Sequence, residues 1–153
     1  MAKSERAKAK DKAWAAFSRY IRVRDALKTT GDTEYAACYT CGKMHPITEM
    51  DAGHWITRNH LGTFMDERNV HAQCRGCNRF GNGRPVEYQE HLLEEYGPDI
   101  LQVLTRAASE SRKVTAEEYR DLERFYKASM DALVEAGYYK ATGNLWRDMM
   151  ESA

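Results

Sequence analysis

Four cysteines, arranged as two identical Cys-x-x-Cys pairs, constrain this chain more than any other feature of its sequence. They are Cys38, Cys41, Cys74 and Cys77. One such turn presents two thiolates to one metal ion with little strain, and two turns complete the tetrahedral shell that a structural zinc ion requires. A redox-active dithiol is the alternative for a single pair, but the repeated spacing favours the metal. The spacing therefore predicts one structural zinc ion with four thiolate ligands.

The rest of the composition indicates a small soluble protein of the reducing cytosol. With 153 residues, of which 42% are hydrophobic and 30% charged, the chain suits one domain with much exposed helix. The N-terminus is charged and lacks the apolar stretch of a secretion signal, and no apolar run approaches the roughly 20 residues needed to cross a bilayer. We therefore expect a cytoplasmic protein with no membrane partner and no disulfides.

Apolar residues recur at helical spacing on both sides of the cysteine-rich segment. A basic amphipathic helix is predicted from about Ser4 to Leu27, and further helices from Val86 to Tyr96 and from Ile100 to about Ser109. Thr115 and Glu118 form a capping box, which predicts the start of another long helix. The chain is therefore predicted to be helical at both ends.

The helix predicted after the capping box carries an apolar stripe from Tyr119 to Val134. Such a stripe is more often packed within its own chain than used as a dimer seam, so we expect intramolecular packing here. Further apolar residues predict a short terminal helix. They are Leu145, Trp146, Met149 and Met150.

Charge is distributed unevenly along the chain although the net charge is zero. From Met1 to Thr30 nine basic residues stand against three acidic ones, and from Pro85 to the end eight basic residues stand against fourteen acidic ones. The basic end would attract an acidic partner, while the acidic end would be repelled from it. A charged helix face that is merely solvated is the other interpretation of the N-terminal segment.

The segment that holds the cysteines carries a further pattern. Asp51-Ala-Gly-His54 is followed, after a polar loop, by Glu67-Arg-Asn-Val-His-Ala-Gln-Cys74-x-x-Cys77-Asn78. A histidine that ends a first strand, an asparagine after a loop and a Cys-x-x-Cys-Asn sequence that opens a helix resemble the zinc-containing HNH nucleases of the His-Me finger superfamily. More narrowly, the segment from about Ala36 to Ile100 resembles the NinG/Rap recombination endonucleases of lambdoid phages.

This resemblance implies a fold and a substrate. The implied fold is α+β, with a zinc-stabilised ββα core of the His-Me finger type flanked by α-helices at both ends. The expected divisions are a basic N-terminal helix at 1–34, the nuclease core at 35–85 and C-terminal helices at 86–153, which are candidates for dimerisation. Members of the family are regarded as structure-directed endonucleases that act on branched DNA such as Holliday junctions and D-loops. The implied partners are DNA and phage recombination proteins, in the cytoplasm of an infected bacterial host. A second copy of the chain is a separate prediction, because two strands must be cut at a junction and because the stripe from Tyr119 to Val134 is the alternative dimer seam.

The predicted catalytic residues follow from the chemistry of phosphodiester hydrolysis, which needs a base to deprotonate water and a divalent cation to neutralise charge. His54 is the predicted base, because a neutral imidazole does this near pH 7. The predicted cation is one Mg²⁺ or Mn²⁺ ion held through oxygen ligands. In the HNH pattern the residue before the base binds this ion, but here that residue is Gly53. We expect Asn78 to be one ligand, and Asp51 to reach the space at Gly53 because strand residues i and i+2 share a face.

Asn69 and His71 are the remaining candidates for the catalytic centre. Asn69 matches the middle HNH residue, which we expect to hold the loop and orient His54 through its backbone. His71 fits an additional metal ligand, a phosphate contact or a packed strand residue, and the packed position is favoured. His60, in a loop with a neighbouring glycine, is expected to be exposed.

Arginines are the predicted DNA contacts, because their forked donors match phosphate oxygens and position a protein without reading bases. Those of the central segment are Arg58, Arg68, Arg75, Arg79 and Arg84. The basic N-terminal helix would add a second footprint. Trp55 and Phe80 are candidates for stacking on unpaired bases, although buried packing is favoured for both.

Three functions are open at this point. The leading one is a zinc-stabilised, Mg²⁺- or Mn²⁺-dependent endonuclease that cuts branched DNA. A less selective HNH nicking endonuclease would keep the chemistry and lose the preference for branched structures. A non-catalytic zinc-stabilised module that binds DNA or protein would use the cysteines to organise a surface, with His54 as an ordinary hairpin residue.

Overall fold

The longest helix, α1, spans Glu5–Thr30 and confirms the helix predicted near the N-terminus. Ser4 is its N-cap, and the Ser4 hydroxyl accepts a hydrogen bond from the Ala7 amide at 3.1 Å. Gly31 ends the helix in the left-handed conformation, with φ at 77°, and its amide donates to the Leu27 carbonyl. The helix therefore runs three residues beyond its predicted end at Leu27.

The remaining elements are two small antiparallel sheets and a set of helices. The computed structural model describes residues 2–110 and 112–136. In chain order the elements after α1 are β1 (Tyr35–Ala37), β2 (Met44–Pro46), a 3₁₀ turn (Ile47–Glu49), β3 (Met50–His54), α2 (Leu61–Phe64), β4 (Val70–Cys74), a π-helical turn (Gly76–Phe80), α3 (Pro85–Tyr96), α4 (Ile100–Ser109) and α5 (Ala116–Ala136). This mixture of helix and small sheet is the predicted α+β class. The helix expected to open at the second cysteine pair is a single π-helical turn rather than an α-helix.

Each cysteine pair is associated with one of two antiparallel hairpins. Strand β1 pairs with β2, and the first pair of cysteines lies in the turn between them. Strand β3 pairs with β4, with Met50 opposite Cys74 and His54 opposite Val70. The segment between the cysteine pairs thus forms a hairpin.

Helix α5 packs along α1, and the two helices share the main apolar core with β3 and β4. The Tyr126 ring of α5 meets the Phe17 ring edge-on at 4.8 Å and lies 5.1 Å from the Tyr20 ring. Leu133 is buried in the same core, while Val134 is about half exposed. The apolar stripe of this helix is therefore packed within the chain, as favoured, and it no longer supports a dimer seam.

The capping box at the start of α5 forms as predicted. The Glu118 carboxylate accepts a hydrogen bond from the Thr115 amide at 2.8 Å, and the Thr115 hydroxyl accepts one from the Glu118 amide at 3.1 Å. Arg6 of α1 donates to the Val114 carbonyl at 2.6 Å, which ties the start of α5 to α1. The predicted terminal helix at Leu145–Met150 lies outside the described residues. Among the helices of the described ranges, none combines the length and apolar character of a membrane span.

A buried ion pair in α1 joins this helix to β4. Arg24 and Asp25 are 1% and 4% exposed, and their side chains form a hydrogen bond of 2.8 Å. Asp25 also accepts from the Ala72 amide at 2.7 Å, and Arg24 donates to the carbonyls of Glu67 and Val70. A buried ion pair is stable only when such additional bonds offset the loss of hydration. Arg24 is one of the nine basic residues counted in the N-terminal segment, but it is an interior residue and adds nothing to a basic surface.

Replacing Asp25 by alanine should lower the free energy of unfolding by about 3 to 5 kcal/mol, because Arg24 would stay buried without its counter-ion. Urea unfolding of the zinc-loaded protein measures this change. The matched control is Asp131→Ala on the exposed face of α5, which should change the value by less than about 0.5 kcal/mol. Small and equal losses for both variants would contradict the role assigned to the pair.

Candidate functional site

The four cysteine side chains come together where the two hairpins meet. Their Sγ atoms all lie within 4.8 Å of one another. Zn–S bonds of about 2.3 Å in a tetrahedral site set the sulfurs about 3.8 Å apart, and the sulfurs of Cys41 and Cys74 are 3.9 Å apart. The Tyr39 amide donates to the Ala72 carbonyl at 2.9 Å, which adds a backbone link between the hairpins. The cluster can therefore hold a zinc ion, as the spacing predicted.

Hydrogen bonds around Cys38 favour its thiolate form. Burial opposes ionisation of this thiol, but bonds from the Thr40 hydroxyl and from the amides of Cys41 and Cys74 outweigh it and lower its pKa to about 6. The Cys74 amide lies 3.3 Å from the Cys38 sulfur. Gly42, with φ at 76°, allows the tight turn after the first pair. Since a thiolate is the form that binds metal, these donors suit a cation at this point.

We expect the purified protein to contain one zinc ion per chain. Cys41→Ser removes a thiolate ligand, and because metal binding and folding are linked, zinc content and melting temperature should both fall. Elemental analysis and a thermal melt measure the two effects. Met44→Ser, which changes an exposed sulfur-containing side chain of β2, should keep the full zinc content. A metal-free protein whose melting is unaffected by zinc or by a chelator would contradict the prediction.

His54 ends strand β3, and its ring stacks on two aromatic side chains. Its centroid lies 5.1 Å from that of Trp14 in α1 and 5.6 Å from that of Phe64 in α2. Its Nε2 lies 2.9 Å from the Phe64 carbonyl oxygen. That oxygen only accepts hydrogen bonds, so Nε2 carries the proton and Nδ1 carries the lone pair. Burial lowers the pKa of His54 below its usual value. The charge of Arg58 lowers this pKa further, and the hydrogen bond to the Phe64 carbonyl raises it only in part. His54 is therefore a neutral imidazole at pH 7, which is the form that a general base requires.

Asn69 holds the loop that follows β3. Its amide nitrogen donates to the carbonyls of Ile56 and Thr63 at 2.9 and 3.0 Å, and its amide oxygen accepts from the Ile56 amide at 2.8 Å. Thr63 directly precedes Phe64, whose carbonyl bonds to His54. Asn69 therefore occupies the predicted loop-holding position, and its influence on His54 passes through this loop.

Asp51 and Asn78 lie side by side, as the sequence predicted for two cation ligands. The Asn78 side chain donates from Nδ2 to Asp51 Oδ2 at 3.0 Å. Arg79 adds two bonds to the same carboxylate, at 2.9 and 2.8 Å. Burial raises the pKa of Asp51, but the bonds from Arg79 and Asn78 outweigh it and hold the pKa below its ordinary value. Asp51 is thus ionised and already accepts three hydrogen bonds from the π-helical turn.

The space next to Gly53 is filled by a residue that the sequence did not single out. A Cβ atom built on Gly53 would lie 1.8 Å from Gln73 Oε1 and 2.9 Å from Asn78 Oδ1. Gln73 lies on β4, directly opposite Asp51. Asn78 is therefore beside the position that precedes the base, as predicted. Asp51 was expected to reach this space, but Gln73 occupies it instead.

His71 is packed in the interior, which is the position that the sequence favoured. Its ring is fully buried, with Nδ1 at 3.0 Å from the Tyr88 hydroxyl and Nε2 at 3.1 Å from the Tyr96 hydroxyl. Burial holds the pKa of His71 well below its usual value. The Tyr88 hydroxyl donates to the Gly53 carbonyl at 2.7 Å, so it supports β3 next to the base. Both ring nitrogens of His71 are occupied, and neither is placed to bind a cation.

The five predicted DNA-binding arginines fall into two groups. Arg68 and Arg79 form ion pairs within the chain, each with an N–O distance of 2.8 Å, so their charge is partly neutralised. The others are exposed, and in the part of the chain that the structure describes they have no carboxylate partner within ion-pair distance. They are Arg58, Arg75 and Arg84. These three remain the better candidates for phosphate contacts.

Trp55 and Phe80 have opposite environments. Trp55 is partly buried and packs against a core formed by α3 and α4, which is the packed position that the sequence analysis favoured. Packing was also favoured for Phe80, and this prediction was wrong, because the Phe80 side chain is 87% exposed at the end of the π-helical turn. The following loop carries Asn82 and Arg84 with positive φ, so the chain turns sharply after Phe80. His60 is exposed, as expected.

Sequence reasoning missed Trp14, Gln73 and Tyr88. The only signal for Trp14 and Tyr88 was apolar helical spacing, which does not show which neighbour a ring will contact. The signal for Gln73 was the missing side chain at Gly53, which called for a replacement ligand. Only the register of β3 against β4 shows where that replacement lies.

The hairpins and the sulfur cluster define the class of this protein, a small α+β protein with a four-cysteine cluster that can hold a zinc ion. Comparison with known proteins then identifies its family. The family model described as "Bacteriophage Lambda NinG protein" matches residues 1–136, and the chain belongs to this family.

Individual relatives are NinG proteins of bacteriophages. Protein NinG of Escherichia phage 933W is 30% identical over 97 residues, which cover 63% of this chain and 47% of the relative. That of Salmonella phage P22 is 38% identical over 61 residues, or 39% of this chain and 30% of the relative. That of Escherichia phage lambda is 28% identical over 97 residues, with 63% and 47% covered. The chain spans about half the length of the curated relatives that it matches most extensively. No solved structure matches it.

Proposed function

We propose that this protein is a metal-dependent endonuclease that cuts branched DNA, with the ββα arrangement of the zinc-containing HNH nucleases. The observation that carries the proposal is the position of His54. It ends a strand, it is neutral with the lone pair on Nδ1, and the residue before it faces the Asn78 amide oxygen. These are the relative positions of the base and the cation ligand in the HNH pattern.

In this proposal the attacking water gives its proton to Nδ1 of His54. The Phe64 carbonyl accepts the Nε2 hydrogen and stabilises the imidazolium that forms. The stacked rings of Trp14 and Phe64 hold the plane of the imidazole. Amide and carboxylate oxygens are the donors that hard divalent cations take, so Asn78 would hold Mg²⁺ or Mn²⁺ here. When bound, that ion supplies charge neutralisation at the scissile phosphate and the leaving oxygen.

Positive charge around the aromatic stack supports a nucleic acid substrate. The Arg58 guanidinium lies over the Trp14 ring at 5.7 Å, and the Lys10 ammonium lies over the Phe64 ring at 4.7 Å. Because both rings stack on His54, these two cations lie near the proposed base, where they suit the phosphates of a nucleic acid backbone. Helix α1, which carries Lys10 and Trp14, would therefore act in the same site as the hairpin and not as a separate footprint.

The preference for branched DNA is supported by the family resemblance and by groups that recognise shape. Arginine contacts to phosphates carry no base sequence. The exposed Phe80 ring offers a surface on which a base left unpaired at a branch point can stack. Phage recombination partners remain a prediction that rests on the same resemblance, and a homodimer remains a prediction that rests on the need to cut two strands at a junction.

His54→Ala should lower the rate of DNA cleavage at least about 100-fold, because the variant lacks the proposed general base. Cleavage of a synthetic four-way junction in Mg²⁺ or Mn²⁺ measures the effect. His60→Ala is the matched control, since His60 is an exposed histidine of the loop that follows β3. Both variants should retain zinc.

Two outcomes of this assay would count against the proposal. If the parent cuts neither plasmid nor junction and His54→Ala behaves identically, the zinc-stabilised binding module is the better description. If the parent cuts the junction and a linear duplex of the same sequence at equal rates, the nuclease chemistry stands but the preference for branched DNA does not.

Phe80→Ala should weaken binding to a branched DNA by about fivefold to 150-fold, because a stacked base contributes about 1 to 3 kcal/mol. Fluorescence anisotropy without divalent cation measures affinity without cleavage. Val86→Ala, another exposed apolar residue shortly after it in the chain, should leave the affinity unchanged. Equal affinities for parent and Phe80→Ala on both branched and linear DNA would show that the ring does not contact the substrate.

A further inference from the structure

We propose that Gln73 supplies the cation ligand that the HNH pattern places on the residue before the base, and that Asp51 positions Asn78 without binding the cation itself. The site would take one hard divalent cation, Mg²⁺ or Mn²⁺, through the amide oxygens of Gln73 and Asn78. This inference rests on the proposed function for its biological meaning, although the binding of the cation can be measured without DNA.

The Gln73 amide is oriented by its neighbours. The side chain is fully buried, and its Nε2 donates to the Gly83 carbonyl at 3.0 Å and to the Thr40 hydroxyl at 3.1 Å. Because the carbonyl of Gly83 can only accept, the amide cannot be flipped without placing two oxygens together. Its Oε1 is buried and has no hydrogen-bond partner among the described residues. A buried acceptor left in this state costs about 1 to 3 kcal/mol, so it calls for a donor or a cation.

The Asn78 amide is oriented in the same way. Its Nδ2 donates to the Asp51 carboxylate, which only accepts, so its Oδ1 faces away from Asp51. That oxygen lies 2.9 Å from the point where a Cβ of Gly53 would lie, and Gln73 Oε1 lies 1.8 Å from the same point. Two amide oxygens, one from β4 and one from the π-helical turn, therefore converge beside the residue that precedes His54. Carbonyl oxygens are among the ligands that suit Mg²⁺ and Mn²⁺, together with water and phosphate oxygens.

The Gln73 amide occupies space that is open only because Gly53 has no side chain. Gln73 pairs directly with Asp51 across the hairpin, and Gly53 lies two residues further along the same face of β3. Any side chain at position 53 would overlap the Gln73 amide. Gly53 and Gln73 are thus complementary, and the ligand lost from one strand is replaced from the other.

Asp51 is a positioning residue in this arrangement. Arg79 binds both of its oxygens, and Asn78 takes a further bond, so the carboxylate is paired with a cationic side chain of the protein. Its effect on the site is to hold the Asn78 amide with the oxygen towards Gly53. The two proposed ligands are neutral, so the cation would be held weakly in the absence of the DNA phosphate.

Titration of the zinc-loaded 153-residue chain with Mn²⁺, followed by the loss of the free-ion electron paramagnetic resonance signal, tests the proposal. Gln73→Ala should weaken Mn²⁺ binding at least tenfold. Gln102→Ala, which changes an exposed glutamine of α4, should leave it unchanged. The double variant Gly53→Asp with Gln73→Ala restores an oxygen at the same point from the other strand, and it should recover Mn²⁺ binding to the parent level or tighter.

The outcomes separate this proposal from a structural role and from the proposed function. Unchanged Mn²⁺ binding in Gln73→Ala, no binding by the parent, or a double variant as weak as the single one would each overturn it. If Gln73→Ala fails to fold, as judged by zinc content and melting, Gln73→Met decides in its place, because it keeps the length of the side chain and lacks the amide oxygen, and it too should weaken Mn²⁺ binding at least tenfold. A parent that binds Mn²⁺ through Gln73 but cuts no DNA would retain this inference and remove the nuclease. If Gln73→Ala cuts DNA as fast as the parent, the nuclease activity is retained and this inference is removed.

Discussion

The cluster of four sulfurs is the contact on which the rest of the structure depends. It joins the turn of the β1–β2 hairpin to the end of β4, and Asn78 follows directly after the last of the four cysteines. The apolar cluster around it consists largely of small residues such as Ala36 and Ala72, which bury little surface. Metal binding can therefore supply much of the free energy that holds the two hairpins together, and it sets the position of the proposed cation ligand.

Helix α1 connects the region around the four cysteines to the apolar core. At its C-terminal half, Arg24 and Asp25 bond to β4, and at its N-terminal half Trp14 stacks on His54. The helix packs on α5 over the length between them. The sequence alone describes this basic segment as a surface for DNA, but in the structure it also supports the site. Part of its positive charge, that of Arg24, lies inside the protein in an ion pair. The remaining cations that lie near His54, such as Lys10, are the ones available to a substrate.

Local signals predicted much of the fold because the interactions involved are local. The N-terminal helix, the helices α3 and α4 and the capping box at Thr115 follow from periodicity and from hydrogen bonds within one turn. The cysteine pairs predicted a shared metal because a Cys-x-x-Cys turn has only one convenient geometry. The candidate site was predicted less completely. Asn78 lies where expected, but Gln73 replaces Asp51 beside Gly53, and Phe80 is exposed rather than packed.

The sequence by itself determined which residues can bind zinc, where the flanking helices lie, and which histidine follows the pattern of a base, since each of these depends on spacing along the chain. Only the tertiary structure decided which nitrogen of His54 keeps its lone pair, which arginines are already paired, and which oxygen fills the space at Gly53. Those outcomes depend on strand register and on contacts between residues distant in sequence, where burial and hydrogen-bond direction choose among partners that spacing leaves equivalent.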